Sequence, residues 1–198
     1  MKKPLSVATV LITLNQLTSM KKILIGSILA SLAMFVWGWI YWMNPLAYQV
    51  VKIAKDDAAA QEALQAQFPD PGVYFIPGNY DNMETFRNLH QQGPVALVQI
   101  SGGKTPMDPK MMVFGWLHMF LVALFIAMLM MKSGMAEDKY WCKVVFSGLL
   151  GLLSGFFIHV GAMIWMYQPL TYSLFNILYA TTLALVAGLV LAKFVKAE

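Results

Sequence analysis

Three histidines, one cysteine and fifteen methionines are the side chains of this sequence best suited to holding a metal. His118 and His159 both fall inside long uncharged runs, each seven residues from the nearer end. At a helical rise of 1.5 Å per residue, both imidazoles are expected about 10 Å below the same surface. Two imidazoles at one level suit axial ligation of haem b. With Met119 and Met163 close in sequence they suit copper instead. Gly115 and Gly155 would leave room beside a macrocycle. The competing reading is packing. His159 bonds Asn176, His118 bonds a neighbouring carbonyl or hydroxyl, and one partner satisfies each buried group without a metal. Packing without a cofactor is the simpler reading. Haem b or copper at His118 and His159 stays open, because ionisable groups in such segments are functional candidates by default.

The other chemical motifs fail on spacing or context. Ser101–Thr105 (Ser-Gly-Gly-Lys-Thr) suggests a phosphate loop, but Val98 stands where that loop needs glycine and Pro106 follows where a helix must start. There is no Gly-x-Ser-x-Gly, no His-Glu-x-x-His and no Cys-x-x-Cys, and the lone Cys142 excludes a disulfide within the chain. Met111, Met112, Met128, Met130 and Met131 lie among other apolar residues with no regular Met-x-x-Met array, which suits gap-filling better than copper handling. His90 is expected on a solvated helix.

The elements that must position the two histidines are dictated by the lipid solvent. Hydrophobic residues make up 59% of the chain and charged ones 12%, about half the charge of an average soluble domain. Four runs, 23–43, 111–131, 144–166 and 170–192, carry no Asp, Glu, Lys or Arg, and each exceeds the roughly 20 residues needed to span hydrocarbon. Lys21 and Lys22 precede the first run, Lys132, Lys139 and Lys143 fill the 132–143 loop, and Lys193 and Lys196 follow the last. Lysine near membrane ends marks the cytoplasmic side, so both termini are expected there. The basic residues are topology signals, and no aromatic-interleaved basic stripe suggests nucleic acid. The first 22 residues read as a cytoplasmic or interfacial segment, with Met20 an alternative start.

The 44–110 segment is then extracytoplasmic. Its pattern predicts a helix over 46–68, a turn at Pro69–Gly72, a strand over 73–76, a helix over 81–92 capped by Asp81 with Glu84, and a strand over 95–100. At this size and without disulfides its core is marginal, so it is expected to rest on the bundle or on a partner. Across the short Tyr167–Pro169 hairpin the last two spans must be antiparallel neighbours. Ser147, Gly151, Gly155 and His159 recur at i+4 on one. Asn176, Ala180, Ala184, Gly188 and Ala192 do so on the other. Small residues at that spacing let backbones approach. Counting from the hairpin sets Gly155 against Ala180, Gly151 against Ala184 and His159 against Asn176. This should be the tightest interface of the fold, fading towards one end.

The motifs Phe35–Gly38, Gly72-Val-Tyr-Phe-Ile-Pro-Gly78, Gly93–Pro94, Gly103–Met107 and Pro109 give the chain a family resemblance over about residues 23–196. It resembles uncharacterised bacterial inner-membrane proteins with four spans and an extracytoplasmic insert after the first. The resemblance implies that architecture and carries over no functional residue. The expected fold is an all-α membrane protein, a four-transmembrane-helix bundle with a small extracytoplasmic α+β cap. The expected role is an accessory or scaffold subunit without catalysis of its own. Its partners would be the bilayer and a protein partner or a second copy.

Overall fold

The computed structural model describes residues 7–78 and 81–196, with side chains from Met20 onward. The chain is mostly helical. In order, it forms α1 (Val7–Trp42), α2 (Pro45–Val50), α3 (Asp57–Gln67), β1 (Gly72–Ile76), α4 (Met83–Gln92), β2 (Ala96–Ile100), α5 (Pro109–Lys132), a 3-10 turn at Met135–Glu137, α6 (Tyr140–Trp165) and α7 (Leu170–Leu191). Four helices are long and apolar enough to cross a membrane: Met20–Trp42 of α1, and all of α5, α6 and α7. α1 is continuous from Val7, so no break separates the first apolar run from the residues before it.

Local chemistry sets the remaining boundaries. The 46–68 region is two helices rather than one. The Asp56 carboxylate accepts from the Ala58 and Ala59 N–H groups at 3.0 Å each and starts α3 afresh. A side chain that satisfies free N–H groups at a helix start stabilises that start by about 1 kcal/mol. α4 is capped one residue later than Asp81 suggested, because the Asn82 side chain accepts from Glu84 and Thr85. It ends at Gly93, whose φ of 62° is the left-handed region that glycine tolerates best. α5 opens on Asp108, which accepts from the Lys110 N–H at 2.8 Å, with Pro109 in the first turn. Strands β1 and β2 pair antiparallel, with Gly72 opposite Ile100 and Ile76 opposite Ala96. They form the two-stranded sheet seen among the described residues.

Two compact units emerge. The first holds α1, α5, α6 as far as Gly155, and α7 from Ile177. Its core runs from Ile23, Ala30 and Met34 of α1 through Ala123, Ile126, Ala127 and Met130 of α5 to Ala184, Ala187, Leu191 and Val195. So many alanines let the helix backbones close in. Gly151 shows how near they come: a Cβ there would lie 2.5 Å from Ala180 O and 2.6 Å from Ala184 Cβ. Gly155 is looser, its added Cβ meeting Ile177 Cα at 3.1 Å and Ala180 Cβ at 3.2 Å. Gly188 lies against Ser147 in the same way. Trp37 is more than an interfacial aromatic, since its indole N–H donates to Thr182 Oγ1 at 3.1 Å. Gly26 is covered by Phe194, whose Cβ would be 2.8 Å from an added methyl.

Ser27 and Ser147 are fully buried, and their hydroxyls have no hydrogen-bond partner among the described residues. An unpaired hydroxyl in such a site costs about 1–3 kcal/mol. Ser147→Ala keeps the Cβ that packs on Gly188 and removes the orphan oxygen. The expected result is a thermal midpoint in detergent equal to or above that of the parent. A clear drop would show that the hydroxyl makes an interaction in solution.

The second unit comprises the insert, residues 45–106, with the stretch 156–176. Phe68 packs on Tyr74 with ring centroids 4.7 Å apart and planes tilted by 43°, and the Tyr74 hydroxyl donates to Asp70 O. That pair closes the turn between α3 and β1.

Candidate functional site

Several polar residues of the second unit, His90, His159, Gln168 and Ser173, lie around the α6–α7 hairpin. Tyr167 turns the chain in a left-handed conformation, φ 55°, one that a bulky residue adopts only when its surroundings hold it. Its ring lies edge-on to His90 at 5.0 Å and 6.4 Å from Phe75. His90 also sits 5.5 Å from Phe86 on α4. His90 is therefore half-buried against aromatic rings rather than free in solvent. With Arg87 and Trp165 these residues border an open cleft of about 330 Å³.

Next to that turn, Gln168 Nε2 approaches His159 Nδ1 at 3.3 Å and donates to Ser173 Oγ at 2.8 Å. Ser173 is buried. Asn176 is buried too, but its amide donates along its own helix to Tyr172 O at 2.8 Å. The partner of His159 is thus Gln168 from the hairpin, where spacing had pointed to Asn176. The reason is reach. Asn176 finds a carbonyl one turn back, while the longer Gln168 side chain folds onto the imidazole. Nδ1 accepts this hydrogen bond. A metal-bound imidazole normally donates from its second nitrogen to an oxygen, so the contact lends a cofactor no support.

The first unit holds His118, an exposed residue on α5. It also has a largely apolar groove of about 460 Å³, where Met43, Met107, Met112 and Met119 meet Trp39 and Trp42. Met43 lies far in sequence from the other three, and no array motif could have shown the four together. Among the described residues no three His, Cys, Asp or Glu side chains are grouped to hold a metal ion. Ser101, Gly102 and Gly103 border an open cleft on the insert, and the next helix begins only at Pro109.

No family model matches this chain. No curated protein and no solved structure matches it either. Function must be read from the residues themselves.

The first unit has one more polar site. Lys143, in the first turn of α6, is 3% exposed. Its ammonium donates to Ala136 O at 3.0 Å and to Val195 O. It thereby ties the 3-10 turn and the turn after α7 to the base of α6. An open cleft of about 400 Å³ lies over it, bordered by Glu137, Asp138, Tyr140, Lys193 and Lys196. The Tyr140 hydroxyl is spent on Leu189 O at 2.7 Å. In the sequence alone these lysines mark only sidedness. Their meeting depends on the fold, since Lys143 and Lys196 come together only when the turn after α7 packs against α6.

Proposed function

We propose that the chain is a multi-pass protein of the bacterial inner membrane that acts as an accessory or scaffold subunit. Its insert would face away from the cytoplasm and dock a protein partner. The observation that carries this reading is the apolar surface of the insert. Val73 and Leu97 are 66% and 39% exposed on β1 and β2, and Met83 and Leu89 are 51% and 46% exposed on α4. A two-stranded sheet is marginal in water without a third layer, and a docked partner would cover these exposed apolar side chains. The four long apolar helices support membrane insertion, and the lysines at their ends support cytoplasmic termini.

A photo-crosslinking residue placed at Val73 or Leu97 in cells tests the docking. The expected result is one discrete adduct of higher mass, absent when the probe replaces Lys104. Adducts with lipid alone, or none, would overturn the scaffold reading. Orientation has its own test in the lone thiol, exposed Cys142. An impermeant maleimide should label it only after lysis, while Ser101→Cys in a Cys142→Ser background should label in intact spheroplasts. The reverse pattern would invert the topology. Near-stoichiometric iron or copper in purified protein, lost in His118→Ala with His159→Ala, would replace the scaffold reading with a cofactor one.

A further inference from the structure

A lysine ammonium has three N–H donors. Lys143 is buried, and both partners of its ammonium seen in the structure are neutral carbonyls. Beyond these bonds the Asp138 carboxylate attracts the ammonium while Lys196 repels it more strongly, so the buried charge keeps part of its desolvation cost, and an anion supplies what is missing. The cleft above it is bordered by Lys193 and Lys196, both exposed. The first turn of α6 also borders it, and helix starts favour negative charge. The cleft also carries Glu137 and Asp138. One rim therefore offers three cations and two carboxylates, a pattern that suits a ligand with both signs better than a bare anion. Trp141, beside Tyr140, is 66% exposed. An outward-facing tryptophan at the end of an apolar helix marks the headgroup level of a bilayer.

We propose that this cleft binds the headgroup of an aminophospholipid. The phosphate sits on Lys143, Lys193 and Lys196, and the primary ammonium sits against Glu137 and Asp138. Its volume falls within the about 300–1,000 Å³ of ordinary small-molecule sites. The proposal rests on the membrane reading above, but not on which face is cytoplasmic.

Native mass spectrometry of the full chain, released from detergent after incubation with equal phosphatidylethanolamine, phosphatidylglycerol and phosphatidylcholine, tests it. The expected spectrum shows one retained phosphatidylethanolamine per chain. Lys193→Gln with Lys196→Gln, at exposed positions where the fold should survive, weakens retention by about tenfold or more, the loss of at least one charge-assisted hydrogen bond. Glu137→Gln with Asp138→Asn shifts the preference towards phosphatidylglycerol. Equal retention of all three lipids would overturn the proposal, as would a lysine variant that retains lipid like the parent. Displacement by millimolar inorganic phosphate would assign the cleft to a free phosphate ligand and overturn the lipid one. Failure of the membrane reading looks different: the parent chain would then leave the membrane fraction in alkaline carbonate. A chain that stays in that fraction yet retains no lipid overturns this proposal alone.

Discussion

Gly151→Leu will abolish recovery of monodisperse protein from detergent, while Gly102→Ala will leave it unchanged. The difference lies in what a side chain meets. At Gly151 the first carbon alone would press on Ala180 O at 2.5 Å and on Ala184 Cβ at 2.6 Å, with Thr181 Cα at 3.0 Å. The carbonyl and Cα atoms belong to the α7 backbone, and the methyl is fixed to it. None can rotate away, so the helices must part. Separation would loosen the neighbouring Gly188–Ser147 contact as well. Overpacking by one methyl costs about 1–3 kcal/mol, and for a chain of this size each kcal/mol moves the midpoint about 2–4 °C. Gly151→Ala should therefore melt several degrees early, and leucine should not assemble at all. At Gly102 nothing among the described residues lies within 4 Å of an added Cβ. A monodisperse Gly151→Leu with an unchanged midpoint would show that α6 and α7 do not meet there.

Lys143→Met is the second large effect. Methionine fills the space of the lysine stem but leaves Ala136 O and Val195 O without their donor. Hydrogen bonds from a charged donor are worth about 1.5–3 kcal/mol each. Losing two should exceed the relief of no longer burying an ammonium. The damage should be local at first. Val195 is 1% exposed in the core and Phe194 covers Gly26, so the turn after α7 is held in place by Lys143 at one end of the core. The expected result is early hydrogen exchange over residues 192–196, together with a midpoint lowered by several degrees. Lys143→Gln restores amide donors on a shorter stem and should recover part of the loss. An unaltered exchange rate in Lys143→Met would mean that apolar packing alone holds the turn.

The four apolar helices were legible in the sequence because lipid asks only for length without charge, and the uncharged runs meet that demand. Strands β1 and β2 were legible from apolar runs bounded by Gly and Pro. The insert's helices were less so. A run over 46–68 has helix-forming residues throughout, and the break before Asp56 depends on a cap that competes with helix continuation. The same competition moved the start of α4 from Asp81 to Asn82. Side-chain partners were hardest. His159 announces itself by type, but its partner Gln168 belongs to a three-residue hairpin that reads only as a connector. Lys143 is the clearest case. A lysine at a helix end is common and normally reaches water, so nothing local distinguishes one buried beneath a turn that lies 52 positions away in sequence.

The core of the first unit joins Ile23 to Val195, and Gly26 is covered by Phe194. During translation, domains that close on local contacts settle as they emerge, N-terminal part first. This unit has no such option. α1 is synthesised early, yet the residues that seal its Gly26 face are synthesised only after the insert, α5, α6 and α7. In the membrane reading proposed above, the contact of α1 with the segment after α7 must wait until the last helix has inserted, the two-step order expected of helices in lipid. For that interval Ser27 and Ser31 of α1 would face acyl chains, a reason for an insertase or another holding factor to stay with the chain until its last helix has arrived.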